Sequence, residues 1–221
     1  MIKEALRPEH QSVLAAFGLA DIDSGGLSVL RFKRNEYLFR QGHASGYILL
    51  IISGRMKVFV TSPDGKSLLF CFYSGGGILG EVEFATGREI ASTSVQAITD
   101  VACICIPLTR YQTVLKNNPA FLNAMNGALA AKFLRSTQNS AAAILQPLEQ
   151  RLCAYISMTS ESSRFVEKLT EVSELLGTSY RHLLRTLDNL CRQGVLEKAA
   201  KGYTVTDPAS LLQKGGADYS E

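Results

Sequence analysis

The chain has 221 residues, of which 46% are hydrophobic and 19% charged, and its formal net charge is +3. This is the composition of a globular protein with one large or two small domains, and no apolar run approaches the roughly 20 residues of a membrane-spanning helix. The net charge is too small to indicate nucleic-acid binding by itself, so such a function would depend on where the charges lie. The N-terminus has no secretion signal pattern, so we expect a cytoplasmic protein without a membrane partner.

The five cysteines are odd in number and scattered, which argues against a disulfide framework. They are Cys71, Cys103, Cys105, Cys153 and Cys191. Cys103 and Cys105 share one face of a predicted strand, but they lack the paired spacing of a zinc or iron–sulfur site. We predict that they are buried as small hydrophobic residues, with a thiol switch or a cluster ligand set as the alternative.

The N-terminal half begins with a mildly amphipathic helix that ends near Gly18 and then changes to short strands separated by glycine. The predicted strands are 27–34, 36–42, 47–54, 55–62, 67–76, 92–99 and 101–108. The Ser-Pro-Asp-Gly run at 62–65 is typical of a hairpin turn. Many short strands with regular turn signals predict a barrel or jelly roll.

Residues 78–97 interrupt this series of strands. A short helix at 81–86, begun by Gly80, would direct free backbone N–H groups into the barrel, which is a way to bind an anion without a metal. An ordinary connection between strands is the alternative interpretation.

A long helix follows the strands. After a short helix at 109–115, the run Asn117-Asn118-Pro119 predicts a helix start, and one helix could extend to about Leu145. Apolar residues recur every four positions from Phe121, which indicates one buried face. The many small residues would let a second helix approach closely, so we predict a dimer seam. Gln146-Pro147 then breaks the helix and marks a domain boundary.

The C-terminal part contains the most informative pattern, at 169–193. Apolar residues at helical spacing stop at Gly177, which can end a helix, and resume after Ser179, which can cap the next one. The second helix begins with Tyr180, Arg181 and His182, a cluster of hydrogen-bond donors. This predicts a helix-turn-helix whose second helix reads base edges, with a helical hairpin bearing a solvated polar face as the alternative.

A predicted hairpin at 194–206, with a Lys201-Gly202 turn, completes a winged helix-turn-helix. The reading helix and the wing are locally basic. Arg181, Arg185, Arg192, Lys198 and Lys201 face only Asp188 and Glu197.

In this order of elements the chain resembles the CRP/FNR family of bacterial transcription regulators over nearly its whole length. The resemblance rests on Gly80-Glu81 within ILGEVEFA…ASTSVQA, on Asn118-Pro119, on Arg151, and on the Leu-Leu-Gly-Thr-Ser turn at 175–179. The runs at 179–184 and 201–203 are most similar to the YeiL branch. The fold class implied is α+β, with a cyclic-nucleotide-binding-like β-roll at 1–117, a dimerisation helix at 118–146 and a winged helix-turn-helix at 147–221.

The resemblance implies a homodimer that binds double-stranded DNA at a palindromic operator, with RNA polymerase as a further partner if the protein activates transcription. The implied DNA contacts are Thr170, Ser179, Tyr180, Arg181, His182, Arg185 and Lys201. Family members often carry Arg-Glu where this chain has Tyr180-Arg181, so the half-site is expected to be unfamiliar. Arg185 could pair with a guanine. The principal alternative is a regulatory module that acts through protein contacts without binding DNA.

The resemblance also implies a sensor in the β-roll, with candidate effector contacts at Gly80, Glu81, Val82, Ser92, Ser136 and Thr137. Cyclic-nucleotide binders of the family use an Arg-Ser or Arg-Thr pair for the phosphate. Here Ala91 precedes Ser92, so a buried phosphate would lack its guanidinium, and cyclic AMP is not expected. Arg88 could compensate only in a rebuilt loop. The effector is therefore left unknown.

Other sensor chemistries and an enzymatic function find little support. The oxygen-sensing members use a cysteine cluster near the N-terminus, but no cysteine precedes Cys71, so no iron–sulfur motif is present. A haem or a cupin-type metal site would need histidines on the barrel, and the sequence has only His10, His43 and His182. His43 lies in a predicted turn. We expect neither a metal site nor an enzyme.

Overall fold

The computed structural model describes residues 2–216, with the side chains of all of them except 138–140 and 142–144. The chain divides into two compact units. Unit 1 comprises Met1–Val58 and Tyr73–Arg135, and unit 2 comprises Phe59–Phe72 and Ser136–Glu221. Within the described residues, no helix is long and apolar enough to cross a membrane.

Twelve strands and eight α-helices are described. The strands are β1 (Ile2–Glu4), β2 (Ser28–Phe32), β3 (Tyr37–Phe39), β4 (Tyr47–Ser53), β5 (Arg55–Thr61), β6 (Ser67–Ser74), β7 (Ile78–Leu79), β8 (Ser94–Ala97), β9 (Val101–Pro107), β10 (Arg164–Phe165), β11 (Leu196–Lys198) and β12 (Tyr203–Val205). The helices are α1 (Gln11–Ala16), α2 (Glu81–Thr86), α3 (Leu108–Lys116), α4 (Pro119–Leu145), α5 (Leu148–Thr159), α6 (Leu169–Leu175), α7 (Tyr180–Arg192) and α8 (Pro208–Gly215).

Two sheets form the predicted β-roll. One has the strand order β1-β2-β9-β4-β7, and the other has the order β3-β8-β5-β6. All seven predicted strands are present, because each combines β-branched or aromatic residues with a turn signal at its end. The sequence analysis missed β1 and β7, which are only three and two residues long. The central strand β9 pairs antiparallel with both β2 and β4. Its residues 101–106 are all buried, so both of its faces are covered.

The core of unit 1 joins the β-roll to the first half of α4. Phe121 and Met125 on α4 belong to a buried cluster with strand residues such as Ile48 and Ile104. The ring of Phe121 meets that of Phe84 edge to face at 5.9 Å between centroids. The helix start at Asn118-Pro119 is confirmed, since the Asn118 side chain accepts a hydrogen bond from the Phe121 N–H at 3.0 Å. The buried stripe does not continue along the whole helix, because Phe133 is 70% exposed.

Unit 2 contains the helix-turn-helix and the wing. Helices α6 and α7 lie on either side of Gly177, whose φ of +60° is the left-handed conformation that the sequence predicted. Strands β10, β12 and β11 form a three-stranded sheet. Helix α5 continues to Thr159, and Arg164 begins the short strand β10, which the sequence analysis did not predict. A two-residue strand is too short for a periodic signal.

Candidate nucleic-acid interface and barrel cassette

Two features fix the orientation of α7: the N-cap at its start and the packing of its apolar face. The Ser179 hydroxyl accepts a hydrogen bond from the His182 N–H at 3.2 Å, which is the predicted N-cap. Leu183, Leu187 and Leu190 are fully buried, so the opposite face of the helix is turned outward. Arg151 also holds this region, because its guanidinium donates to the Leu176 carbonyl at the end of α6.

The outward face of α7 carries the predicted reading residues. Arg181 and Arg185 lie one helical turn apart, and Tyr180 is 46% exposed beside them. All seven predicted DNA contacts are exposed in unit 2. They are Thr170 on α6, Ser179 in the turn, Tyr180, Arg181, His182 and Arg185 on α7, and Lys201 in the wing. Their side chains are thus available to a partner.

The charges on this face are not all available. Lys198 forms an ion pair with Asp188 at 2.8 Å, and this hydrogen-bonded contact raises the pKa of the lysine. The pair removes one cation and one anion from the set that the sequence analysis counted. Among the described residues, four cations of the same region have no ion-pair partner. They are Arg181, Arg185, Arg192 and Lys201.

A groove of about 460 Å³ runs beside α7 and is bordered by the start of α5. Its walls include His182, Arg185 and Arg192, so it is largely basic. The acidic residue in the wall is Glu149, which was not singled out from the sequence. Its carboxylate accepts hydrogen bonds from Asn189 at 3.1 Å and from Lys214 at 3.2 Å. Lys214 supplies the opposite charge to Glu149, and the neutral Asn189 amide satisfies its other carboxylate oxygen.

Residues 78–97 of unit 1 are here called the cassette. Within it, Gly80 is the N-cap of the predicted short helix α2. Gly80 has a φ of +87°, and an added Cβ would lie 2.6 Å from the Tyr47 carbonyl oxygen, so only glycine fits. Val82 is 39% exposed, whereas Glu81 is 3% exposed. The predicted helix at 81–86 is therefore confirmed, and its first carboxylate is turned into the protein.

Glu81 is already paired. Its carboxylate forms an ion pair with Lys132 of α4 at 2.6 Å, and the same ammonium donates to the Ile78 carbonyl. The lysine also lies 4.9 Å from the centroid of the Tyr73 ring. Lys132 was not among the residues predicted from sequence. Its position on the partly buried side of α4 was the available signal, because a lysine there needs a partner.

Ser92 is engaged by a second carboxylate that the sequence analysis also missed. Its N–H and its hydroxyl donate to the same oxygen of Glu83, at 2.8 and 2.6 Å. Glu83 is 7% exposed. Ala91, at the position before Ser92, is 4% exposed and supplies no charge. Both donors of Ser92 are thus used by Glu83, and among the described residues no cation forms an ion pair with that carboxylate, so these residues do not fit a cyclic nucleotide.

Arg88, Ser136 and Thr137 take no part in the hydrogen bonds between Ser92 and Glu83. Arg88 is exposed in unit 1. Ser136 and Thr137 lie on α4 in unit 2, where Ser136 is half-buried and Thr137 exposed. Their role as contacts for an effector base stays a prediction.

The cysteines have the environment expected of core residues. Cys103 and Cys105 are buried on β9, as predicted. Burial raises the pKa of the Cys103 thiol to about 12 and that of Cys105 to about 11, which suppresses the reactive thiolate. In the part of the chain that the structure describes, no three His, Cys, Asp or Glu residues are grouped so that they could hold a metal ion.

Comparisons with known proteins agree with this architecture. The family model "Cyclic nucleotide-binding domain" matches residues 29–118. The chain is 30% identical to the regulatory protein YeiL of Escherichia coli O157:H7 over 197 residues, or 87% of each protein. It is 21% identical to a CRP-like cAMP-activated global transcriptional regulator of Mycobacterium tuberculosis, over 85% of this chain and 88% of the other. The solved structure of the c-di-GMP-responsive global regulator CLP of Xanthomonas campestris superimposes with a TM-score of 0.68. That protein is 18% identical, and the match covers 89% of this chain and 99% of CLP, so the likeness concerns the fold.

Proposed function

The chain belongs to the CRP/FNR family of transcription regulators, and from this premise we propose that it is a cytoplasmic homodimer that binds a palindromic DNA operator in a sequence-specific manner. In this proposal 1–117 is the sensor domain, 118–146 the dimerisation helix and 147–221 the DNA-binding domain. The observation that carries it is the outward face of α7, on which Arg181 and Arg185 are exposed without ion-pair partners in the described structure.

The side chains on α7, in the turn before it and in the wing suit the two kinds of DNA contact, to base edges and to phosphates. Arg185 can donate two hydrogen bonds to the O6 and N7 atoms of a guanine in the major groove. Ser179 and Lys201 are placed to bind phosphates, which position the helix without reading sequence. A solvated polar face would not need four cations without acidic partners, so this charge arrangement favours DNA over a module that acts only through protein contacts. If the protein activates transcription, RNA polymerase is its further partner.

The selection of binding sites from a random DNA library tests this proposal. A dimer with two reading helices should enrich a site with two inverted half-sites about 10–10.5 base pairs apart, one turn of DNA. Enrichment of no common sequence would contradict the DNA-binding proposal. Enrichment of a lone half-site would contradict the dimer.

The dimer is supported by an exposed stripe of mostly small residues on α4, opposite to the side that enters the core of unit 1. Its positions alternate in gaps of four and three residues, the spacing of a two-helix seam. They are Asn123, Gly127, Ala130, Leu134, Thr137 and Ala141, and all are exposed. A Cβ added at Gly127 would meet nothing within 4 Å, and Leu134 is 63% exposed.

The substitution Leu134→Glu tests the seam. A carboxylate at this position would be buried between two helices, so the mass by light scattering should fall from twice 24.1 kDa to 24.1 kDa. The control is Val114→Glu on α3, which places the same charge at a residue that is 50% exposed. Loss of the dimer in both variants, or in neither, would refute the seam.

The barrel is proposed to sense the signal, and Gly80, Glu81, Val82 and Ser92 are the candidate contacts of unit 1 for an effector.

A further inference from the structure

We propose that Glu83 fills the anion-binding position of the cassette, so that the barrel is closed by a carboxylate of its own chain and accepts no cyclic nucleotide. The geometry is specific. One oxygen of Glu83 receives the N–H of Ser92 at 2.8 Å and its hydroxyl at 2.6 Å. Hydrogen bonds to an ionised oxygen are stronger than those between neutral groups, so two donors that converge on one carboxylate oxygen hold it firmly.

Ser92 has nothing left to donate to a second anion. A serine has one N–H and one O–H donor, and both are used. Within the described residues Glu83 has no ion-pair partner, and its neighbour in this contact, Ala91, contributes only a methyl group. An incoming phosphate would therefore meet a buried carboxylate that has no ion-pair partner among the described residues. Two like charges in a buried site disfavour each other strongly, so either Glu83 or the phosphate can be present, and Glu83 is tethered.

The other buried carboxylate of the cassette, Glu81, is satisfied by a cation of the same chain. Glu81 is 3% exposed and holds the ammonium of Lys132, which is also bonded to the Ile78 carbonyl. A sugar hydroxyl could bind Glu81 only by competing with this ion pair. Both carboxylates that α2 buries are therefore satisfied by the chain itself, one by a cation and one by neutral donors.

The consequence for regulation rests on the proposed function, because it takes the barrel to be the sensor of a DNA-binding protein. If Glu83 already occupies the anion-binding position, the sensor domain needs no small anion to adopt the conformation described here. The regulator should therefore bind its operator without an added cyclic nucleotide. Its control would come from a signal other than an anionic effector at Ser92.

The deciding variant is Glu83→Ala, which vacates the position while it leaves Ser92 intact. The probe is inorganic phosphate, titrated at constant ionic strength into the full-length protein, with thermal unfolding as the readout. We expect saturable stabilisation of Glu83→Ala, with at least about tenfold higher phosphate affinity than the wild type, because two donors are released to the ion. If Glu83→Ala does not fold, Glu83→Ser takes its place, since a serine at this position is too short to reach Ser92.

The matched control is Glu89→Ala. Glu89 is an exposed carboxylate of the same segment, and only its main-chain oxygen is engaged, by the Ser45 N–H at 2.8 Å. This variant should respond to phosphate as the wild type does. A second titration with cyclic AMP should leave the wild type unchanged.

The proposal is overturned if the folded Glu83 variant gains no phosphate response, or if Glu89→Ala gains the same response. It is also overturned if cyclic AMP stabilises the wild type saturably. Neither titration involves DNA, so a failure here is distinct from a failure of the protein to bind an operator.

Discussion

The reading helix α7 and the cassette around α2 both concentrate charged side chains, but they use them in opposite ways. On α7 the cations are exposed, and in the described structure Arg181 and Arg185 have no ionic partner. In the cassette Glu81 and Glu83 are buried, and each is held by residues of the same chain. We infer that the exposed, unpaired cations of α7 are open to a ligand, whereas the carboxylates of the cassette are already hydrogen-bonded within the chain.

The comparison explains why similar sequence evidence leads to different conclusions for the two regions. Gly80-Glu81 and Ser92 are residues that resemble a nucleotide site, yet their hydrogen-bonding groups are used internally. Substitutions at Lys132, Arg185, Ser179 and Lys201 test this contrast between the two regions.

The largest effect is expected from Lys132→Ala, which leaves Glu81 buried without its cation. Removing one partner of a buried pair costs about 3–5 kcal/mol of unfolding free energy. The control is Lys66→Ala, because the Lys66–Asp64 pair has side chains that are 82% and 57% exposed, against 17% and 4% for Lys132 and Glu81. An exposed pair contributes about 0–1 kcal/mol. Urea denaturation measures both, and equal losses would show that the cassette does not depend on its internal pair.

The second effect is expected from Arg185→Ala, which removes a proposed guanine contact. The affinity for the selected operator should fall roughly 5- to 150-fold, which corresponds to about 1–3 kcal/mol. Fluorescence anisotropy at a single salt concentration measures this change. Arg88→Ala, at an exposed arginine of unit 1, is the control and should bind as the wild type does. An unchanged affinity in Arg185→Ala would remove α7 from the interface.

The third effect separates the fold of α7 from its contacts. Ser179→Ala removes the N-cap and should lower the stability by about 1 kcal/mol. Ser179→Asp retains a capping oxygen, so the stability should be kept, while repulsion from phosphates should still weaken DNA binding. Thermal unfolding and anisotropy give the two readouts. If Ser179→Asp binds DNA as tightly as the wild type, Ser179 does not face a phosphate.

The smallest effect is expected at the wing. Lys201→Ala should weaken binding to the operator and to a random duplex by the same factor, since a phosphate contact carries no sequence information. The slope of log affinity against log salt should become shallower by about 1. Titrations at several salt concentrations measure it. A loss confined to the operator would instead mean that Lys201 contacts a base.

Local structure was predictable from the sequence because it depends on short-range signals. The bounds of α2 and α4, the left-handed Gly177 and the Ser179 cap follow from periodicity, turn residues and capping chemistry. The short strands β1, β7 and β10 were not predicted, because two or three residues are too few to show an alternating pattern of apolar and polar residues.

The internal closure of the cassette could not be predicted in this way. Lys132 lies 51 positions after Glu81. It reaches Glu81 only when the first half of α4 packs against the strands of unit 1. Glu83 lies nine positions before Ser92, and their contact depends on the path of the loop between them. The sequence revealed the missing arginine at Ala91, but it did not reveal which group takes the place of the phosphate. Lys198 illustrates the same limit, because only the structure pairs it with Asp188.

We propose that the α7 face binds DNA while Glu83 occupies the anion-binding position of the sensor domain. The most direct test is the affinity of the dialysed wild-type protein for its selected operator and for a random duplex, with and without cyclic AMP. The account predicts an operator preference of at least about 10³-fold in the absence of any nucleotide, unchanged when cyclic AMP is added. Equal affinity for the two duplexes, or a preference that appears only with cyclic AMP, would contradict it.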